Sequence, residues 1–388
     1  QSEHLTKMLA LHGGPVDQGP GNLLYYLNFF TRREPSRFAP LAVGLRDVVP
    51  YNLKVRMLAL EGQLYDSEIG SPETQTLGNF DLTFLLVFLY PLLVIAFLHN
   101  ALSSEQEAGT WDLVRSIPVS RTRLLAEKAA LRFLPVLLVW VLTLGMAVVR
   151  LGLPVGDERM LAFGAISVVY LLFWFALAVG VIGFGRSTNS NALTLLSAWL
   201  CLAILFPAAM NLGLSAALSA TSAFEVALRQ REGYHSKWDR PRVETLAAFY
   251  KRYPEHAAYQ APVDRFSWGW YYAMQQMGDE EAAKASTEWR QTLLLRDDWA
   301  RKLSLLSPPA MVQLAMSRMA STGLTAHLAY LESVRAFHTR LRGHFYPLLF
   351  RDPPVPPVNW SNVPRHRFSD EAQPVAWADE MWRLVAIS

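Results

Sequence analysis

Four long apolar runs occupy the middle of this 388-residue chain and constrain its fold more than any other feature. They cover residues 82–98, 131–149, 160–185 and 192–218, and only Arg132, at the edge of the second run, is charged. A helix needs about 20 predominantly apolar residues to cross the hydrocarbon core of a bilayer. We therefore predict four transmembrane helices, called spans one to four in chain order, within a transmembrane domain of residues 81–220.

The flanks of these runs have the character of soluble protein. The whole chain is 52% hydrophobic and only 18% charged, whereas a soluble domain usually carries about 25% charge. This apolar excess is concentrated in the four runs. The single cysteine, Cys201, excludes a disulfide framework and a cysteine-rich metal site. The net charge of +3 is too small to indicate a nucleic-acid partner.

Charge in the short loops predicts the orientation of the spans. Lys and Arg are enriched on the cytoplasmic side of membrane proteins. The loop between spans two and three carries Arg150 and Arg159 beside two acids. The segment between spans one and two is the most basic, with Arg115, Arg121, Arg123 and Lys128, and Arg186 follows span three. These two loops are therefore predicted to be cytoplasmic. Four spans then put residues 1–80 and 221–380 together on the outer side.

The two ends of the chain suggest further spans. The sequence begins with Gln, and hydrophobicity rises again in MWRLVAIS, residues 381–388. We interpret 1–80 as a segment that follows a missing first span and 381–388 as the start of a last span. A cleaved signal peptide is the alternative explanation for the front end.

A polar segment between spans one and two, SSEQEAGTWDLVRSIPVSR, is called the polar connector (residues 103–121). Ser and Glu at its start are typical of a helix N-terminus. Pro118 disfavours helix in the residue before it, and Ser120 is a candidate N-cap for a helix that continues into span two. The connector is thus predicted to be a short helix, a turn and an amphipathic lead-in. A passive helix lying on the headgroups is the simpler alternative.

The order of residues in the polar connector resembles the coupling-helix region of ABC-2 type transporter permeases. The shared pattern consists of Glu105, Glu107, Gly109, Thr110, Leu113, Pro118, Val119, Ser120, Arg121, Leu124, Leu125 and Lys128. The resemblance covers about residues 80–220. It implies an all-α polytopic membrane protein, with an ABC-2 type transmembrane helix bundle and mostly helical extracytoplasmic domains. The long outer segments resemble the family members with large periplasmic insertions.

The resemblance also implies partners and roles. The coupling helix would dock on a separate ATPase subunit, with Glu105, Glu107 and Arg121 as contact residues, Thr110 within the motif, and Gly109 and Pro118 shaping the bend. Two ATPase subunits would bind ATP and Mg, and this chain would hold no cofactor. A second permease, identical or homologous, the lipid bilayer and a periplasmic protein complete the expected partners. The expected location is the bacterial inner membrane, with large domains on the periplasmic side.

The outer segments carry several local expectations. We expect a helix over 279–306, with Asp279 as its N-cap and Ser307-Pro308-Pro309 as its end. We expect a second helix over 322–343. The aromatic tract 264–277 is interpreted as core or interfacial belt rather than as a substrate platform. The basic run of Arg32, Arg33 and Arg37 is interpreted as a solvated face rather than as an anion site. Residues 351–360 are expected to form an extended strap, and 52–66 a helix or a strand.

Signatures of catalysis are missing from the sequence. There is no GxxxxGK[ST], HExxH or GxSxG motif, so we expect neither ATP binding nor hydrolysis by this chain itself. His338 and His344 are six residues apart and do not indicate a metal site. Tyr170, Asn211 and Ser215 are polar positions in the spans and candidates for a substrate path. The lack of intramembrane ionisable groups favours a large amphipathic or lipid-like substrate, or mechanical signalling.

The sequence therefore predicts the membrane subunit of an ATP-driven ABC-2 type transporter, an exporter. A polytopic sensor or scaffold that binds a periplasmic ligand without transport is the alternative. A membrane enzyme that acts on lipid is disfavoured because no convergent acid, base or metal cluster is evident.

Overall fold

The computed structural model describes residues 2–13, 20–65, 80–115, 120–218, 223–352 and 355–372. The described chain is mostly helical, with one antiparallel two-stranded sheet, β1 (Phe29–Phe30) and β2 (Lys54–Val55), in which Phe29 pairs with Val55. The α-helices in chain order are α1 (Ser2–His12), α2 (Gly21–Tyr26), α3 (Leu60–Tyr65), α4 (Leu82–Phe84), α5 (Tyr90–Leu98), α6 (Ser103–Glu107), α7 (Trp111–Arg115), α8 (Arg121–Leu151), α9 (Glu158–Gly183), α10 (Thr188–Leu200), α11 (Phe206–Ala217), α12 (Ala223–Trp238), α13 (Arg242–Arg252), α14 (Trp268–Leu303), α15 (Pro308–Met319) and α16 (Leu324–Leu349).

Four helices are long and apolar enough to cross a membrane, as the apolar runs predict. Span one consists of α4 and α5, span two is α8, span three is α9, and span four consists of α10 and α11. Side chains cap their first turns: Ser120 accepts a hydrogen bond from the Arg123 amide at 3.3 Å, which confirms the predicted N-cap before span two. At the other end of α8, Gly152 ends the helix in the left-handed region, with a φ of 61°.

Spans one and four each contain one turn of π-helix, Leu85–Leu89 and Cys201–Leu205. A π-helical turn disturbs the regular backbone ladder, and in lipid each freed carbonyl needs another donor. Tyr170 of span three donates its hydroxyl to the carbonyl oxygen of Val87 at 2.8 Å. Ser307, just before α15, donates to the carbonyl oxygen of Leu202 at 2.7 Å. In each π-helical turn, one carbonyl is therefore bonded by a hydroxyl from a neighbouring element.

The spans pack around a shared apolar core, but unequally. In the most apolar window of each helix, 50% of span one and 39% of span three is buried, against 11% for spans two and four. Trp140, Tyr170 and Trp174 are among the largest fully buried side chains of this bundle. Spans two and four thus present most of their apolar surface outward.

Residues from both flanks build one second core. Side chains of 24–64, including Leu24, Val55 and Met57, share an apolar cluster with Phe249, Tyr272 and other residues of 246–350. We call residues 2–65 and 223–372, apart from α15, the outer domain, after the side on which charge in the loops predicts it to lie. Because the two flanks pack against each other, they lie on the same side of the four spans.

Helix α14 corrects one expectation about the outer segment. It begins at Trp268 with Ser267 as its N-cap, not at Asp279. Asp279 is 7% exposed inside the helix and accepts hydrogen bonds from the backbone amides of Leu60 and Glu61 at 2.7 and 3.0 Å. It therefore caps α3 rather than the helix that contains it.

Other local expectations have mixed outcomes. The aromatic tract 264–277 contributes Trp270 and Tyr272 to the core of the outer domain, in line with the core interpretation. Residues 52–66 contain both β2 and α3. The expectation of a solvated basic face is wrong for Arg33, whose side chain is fully buried and paired with Asp370 at 2.8 Å. Arg32 and Arg37 are exposed.

Helix α15 joins the span bundle although it lies within the outer segment 221–380, and no sequence pattern predicted it. Ser307 is its N-cap, and Pro308 and Pro309 occupy its first turn, where proline is tolerated. Its buried residues pack with Leu86 of span one and Ile166 of span three, and they include Met311, Val312, Ala315, Met316 and Met319. The expected stop after α14 is thus also the start of a helix that ties the outer domain to the spans.

Candidate functional site

The polar connector folds as two short helices around a tight bend. Helix α6 ends at Ala108, and Gly109 takes the left-handed conformation with a φ of 71°. A Cβ at this position would meet nothing within 4 Å, so the backbone conformation, not a lack of space, favours glycine here. The Thr110 amide closes the bend on the Glu105 carbonyl oxygen at 3.1 Å.

Glu105 links the connector to span two. Its Oε2 accepts the Thr110 hydroxyl at 2.6 Å, and its Oε1 accepts Nζ of Lys128 at 2.6 Å. Lys128 lies on the lead-in of α8, and both side chains of the pair are about one-third exposed or less. The ion pair therefore fixes the distance between α6 and the start of span two.

Glu107 links the connector to span four. Its Oε1 accepts the backbone amide of Thr188 at 2.8 Å, and its Oε2 accepts the Thr188 hydroxyl at 2.9 Å. Thr188 is the first residue of α10, where a carboxylate satisfies a free amide and interacts favourably with the helix dipole. The hydroxyl of Ser103 also contacts that of Thr188 at 2.6 Å.

Two side chains lock the turn that joins span one to the connector. Asn191, fully buried in span four, donates to the carbonyl oxygen of His99 at 3.2 Å. Arg132 of span two donates to Oδ1 of Asn100 at 2.5 Å. The end of span one is thus held from both neighbouring spans.

Helix α7 divides its side chains between the bundle and the surface. Trp111 packs against the apolar core of the spans. Leu113 is 73% exposed, and Asp112 beside it is also exposed. The side chains of Leu113 and Asp112 therefore lie on the solvent-facing side of α7.

The connector residues singled out from the sequence are only partly brought together. Glu105, Glu107, Gly109 and Thr110 lie in one bend, but both carboxylates bind groups of this same chain. Pro118 and the side chain of Arg121 lie outside the described residues, as do residues 381–388. The sequence patterns did not predict that Thr188 would bond to Glu107 and Ser103. The polar run RSTNSN (186–191), which contains the N-cap Ser187, could have indicated a helix start able to bind a carboxylate.

The three candidate residues for a substrate path do not share one enclosed surface. Tyr170 is 1% exposed and committed to the Val87 carbonyl. Asn211 and Ser215, near the far end of span four, are exposed. Tyr170 therefore lies inside the bundle, whereas Asn211 and Ser215 lie on its surface. Within the described ranges, no group of three His, Cys, Asp or Glu side chains is arranged to hold a metal ion.

Comparison with known proteins adds one finding. A family model described as a domain of unknown function (DUF3526) matches residues 223–369. The match covers α12 to α16 and the segment that follows, and so most of the outer domain's second flank. No curated protein matches the chain, and no solved structure does.

Proposed function

We propose that this chain is the membrane subunit of an ATP-driven transporter of the ABC-2 type, working with separate ATPase subunits and a second permease. The observation that carries the proposal is the polar connector: a bent element at one end of the spans, held to three of them by specific contacts. It continues directly from span one, pairs with span two through Glu105 and Lys128, and caps span four through Glu107.

This arrangement suits the transmission of force. A displacement of α6 would act on the start of spans two and four through contacts of 2.6 to 2.9 Å. Charge-assisted hydrogen bonds are short and directional, so they transmit a movement better than a flexible linker does. In the proposed cycle, ATP binding closes the ATPase pair, which pushes on the connector and changes the packing of the spans.

The contacts divide the connector residues into two proposed roles. Glu105 and Glu107 hold the connector to the spans, while the exposed Leu113 and Asp112 meet the ATPase. The sequence resemblance suggested the two glutamates as ATPase contacts, and their internal hydrogen bonds favour the positioning role instead. The outward apolar faces of spans two and four fit the second permease or lipid.

The test separates docking from coupling. The tagged chain is purified from its native host, and copurifying ATPase and ATP turnover are measured for the native chain, Leu113→Asp and Glu107→Gln. Leu113→Asp should lose most of the bound ATPase. Glu107→Gln should retain it but lose most of the stimulation of ATP turnover, because Thr188 is no longer held by a carboxylate.

Glu127→Gln is the matched control, since the exposed Glu127 side chain pairs with Arg123 of its own helix, α8. It should behave as the native chain does. The proposal fails if no ATPase copurifies with the native chain, or if Leu113→Asp and Glu107→Gln leave both measurements unchanged.

A ligand-binding sensor or scaffold is the second candidate, favoured by the size of the outer domain and by a cleft of about 700 Å³ within it, between α3, α12 and α14. The same purification distinguishes the two: a sensor would bind its ligand outside without an associated ATPase.

A further inference from the structure

A cleft of about 700 Å³ opens in the outer domain between α3, α12 and α14. Its volume lies within the range of about 300–1,000 Å³ that is typical of small-molecule sites. Both flanks contribute to its lining, with Arg56 and Gln63 from the first, and Arg231, Tyr234 and Tyr271 from the second. The cleft exists only because the two flanks fold together.

Two arginines line the cleft. Arg56 and Arg231 carry its positive charge, and none of the described residues that line it is a carboxylate. Among the described residues, neither arginine takes part in an ion pair; the Nε of Arg231 donates weakly to Nε2 of His235 at 3.5 Å.

Three acids near the cleft already have partners. Glu61 is bound by Arg335 at 2.7 Å, and Asp279 by Arg342 at 2.5 Å. Glu281 pairs with Lys237 at 2.7 Å. The positive charge of the cleft is therefore not neutralised by these neighbours.

Aromatic rings form the apolar part of the cleft. Tyr25, Tyr234 and Tyr271 line it, and the hydroxyls of Tyr234 and Tyr271 lie 3.4 Å apart. Leu58 and Leu228 extend the apolar surface. Tyrosine offers a flat apolar face with a polar edge, which suits a ligand that carries both characters.

The walls are held in place before any ligand arrives. Gln63 accepts the Arg56 amide at 2.8 Å and donates to the Ala59 carbonyl at 2.8 Å. Gln275 accepts the Ala59 amide at 2.9 Å. At Gly62, a Cβ would lie 2.5 Å from Oε1 of Gln230, so a larger residue here would displace the Gln230 amide from its place in the cleft wall. A preformed site loses less entropy on binding than a flexible one.

We propose that this cleft binds a small amphipathic anion, whose carboxylate or phosphate group contacts Arg56 and Arg231 and whose apolar body lies against the tyrosines. Arginine matches the geometry of both anionic groups. The proposal concerns ligand binding alone, so it stands or falls separately from ATPase coupling, and binding measurements without ATP or ATPase test it directly.

Phenyl phosphate is a suitable probe, with inorganic phosphate and benzyl alcohol as its charged and apolar halves. Binding to the full chain in nanodiscs is measured by isothermal titration calorimetry. Phenyl phosphate should bind at least tenfold more tightly than either half. Equal affinity for phenyl and inorganic phosphate would overturn the apolar part of the proposal, and no measurable binding of phenyl phosphate would overturn it entirely.

Arginine variants locate the site. Arg231→Gln and Arg56→Gln should each weaken phenyl phosphate binding about tenfold, because a hydrogen bond to a charged group is lost. Arg229→Gln is the matched control: Arg229 is exposed on the same helix, two residues earlier, but does not line the cleft. Equal binding by the Arg231→Gln and Arg229→Gln proteins would refute the assignment. The exposed position of Arg231 keeps this comparison free of folding effects.

Discussion

The outer domain and the span bundle bury polar groups in opposite ways. The outer domain encloses charges as ion pairs between distant segments: Arg33 with Asp370, Glu61 with Arg335, and Asp279 with Arg342. In the four apolar runs, hydroxyls bond to backbone carbonyls, as in Tyr170 to Val87 and Ser307 to Leu202, or to each other, as in Tyr90 and Thr143.

The surrounding medium explains this difference. A charge in the hydrocarbon core is costly wherever it lies, whereas an unsatisfied carbonyl there needs only one donor. In a water-soluble domain, a buried ion pair is tolerated when both partners are well bonded. The fold of the outer domain thus depends on matched charges, and that of the bundle on matched backbone groups.

Removing one partner of a buried ion pair should have the largest effect on the outer domain. Asp279→Ala leaves Arg342 buried without its carboxylate and leaves the Leu60 and Glu61 amides uncapped. We expect a loss of about 3–5 kcal/mol in the free energy of unfolding. Denaturant unfolding, followed by tryptophan fluorescence, measures it.

Lys284→Ala provides the control on the same helix. Lys284 pairs with Glu288 on the surface, and its side chain is 87% exposed. Its loss should cost less than about 1 kcal/mol. Similar losses for the two variants would mean that buried charges do not hold the outer domain together.

Acid should weaken the outer domain through its buried histidines. Burial, and secondarily the nearby Arg33, lower the pKa of His327 to about 4. In the unfolded chain the pKa of histidine is about 6.5. Between these values the unfolded state binds a proton that the native state does not, so stability is full above pH 6.5 and falls as the pH falls towards 4.

The expected loss for His327 is about 3 kcal/mol, at about 1.4 kcal/mol per pKa unit. Thermal unfolding of the full chain between pH 7.5 and 4 measures it, and His327→Asn should flatten the profile. An unchanged slope in the His327→Asn protein would show that other groups cause the acid loss.

These two regions were unequally predictable from the sequence. The spans follow from apolar length alone, and the Ser120 cap from a local pattern. Asp279 was misassigned because it caps a helix other than its own, and Arg33 because its partner Asp370 lies 337 residues away. Local patterns do not encode such distant partners.

The candidate site shows the same division. The motif identified Glu105, Glu107, Gly109 and Thr110, and the left-handed Gly109 agrees with the expected bend. Residue order did not show that Glu107 binds Thr188, which is 81 residues away. Helix α15 was not predicted because its 12 residues are too few to cross a membrane. The Ser-Pro-Pro at its start was interpreted only as the end of the preceding helix.

Removing a hydroxyl that donates to a backbone carbonyl of the bundle should have a smaller effect on the free energy of unfolding. Tyr170→Phe and Ser307→Ala each remove one hydroxyl from a carbonyl of a π-helical turn. We expect a loss of about 1 kcal/mol from each, measured as a lower thermal midpoint in nanodiscs. Ser167→Ala is the control, because Ser167 bonds only to the Phe163 carbonyl one turn earlier in its own helix. If Ser167→Ala lowered the thermal midpoint as much, the hydrogen bonds to the π-helical turns would stabilise the bundle no more than a hydroxyl bonded within its own helix.

The boundary between the two regions is tested by a substitution with almost no expected energetic effect. The turn between α14 and α15 exposes Leu306 to 64%, while Ser307 beside it bonds to Leu202 within span four. Leu306 should therefore face acyl chains, although it belongs to a segment that the sequence analysis placed outside the membrane. In a Cys201→Ala background, Leu306→Cys is spin-labelled, and its accessibility to oxygen and to a water-soluble nickel chelate is compared.

Two equally exposed positions calibrate the result: Leu142 of span two, exposed to 62%, and Val243 of the outer domain, exposed to 57%. Because exposure is matched, only depth in the bilayer should separate the three labels. Leu306→Cys should resemble Leu142→Cys, with high access for oxygen and low access for the chelate. If it resembled Val243→Cys instead, the α14–α15 turn would lie in water, and the hydrogen bond from Ser307 to Leu202 would have to lie beyond the hydrocarbon core.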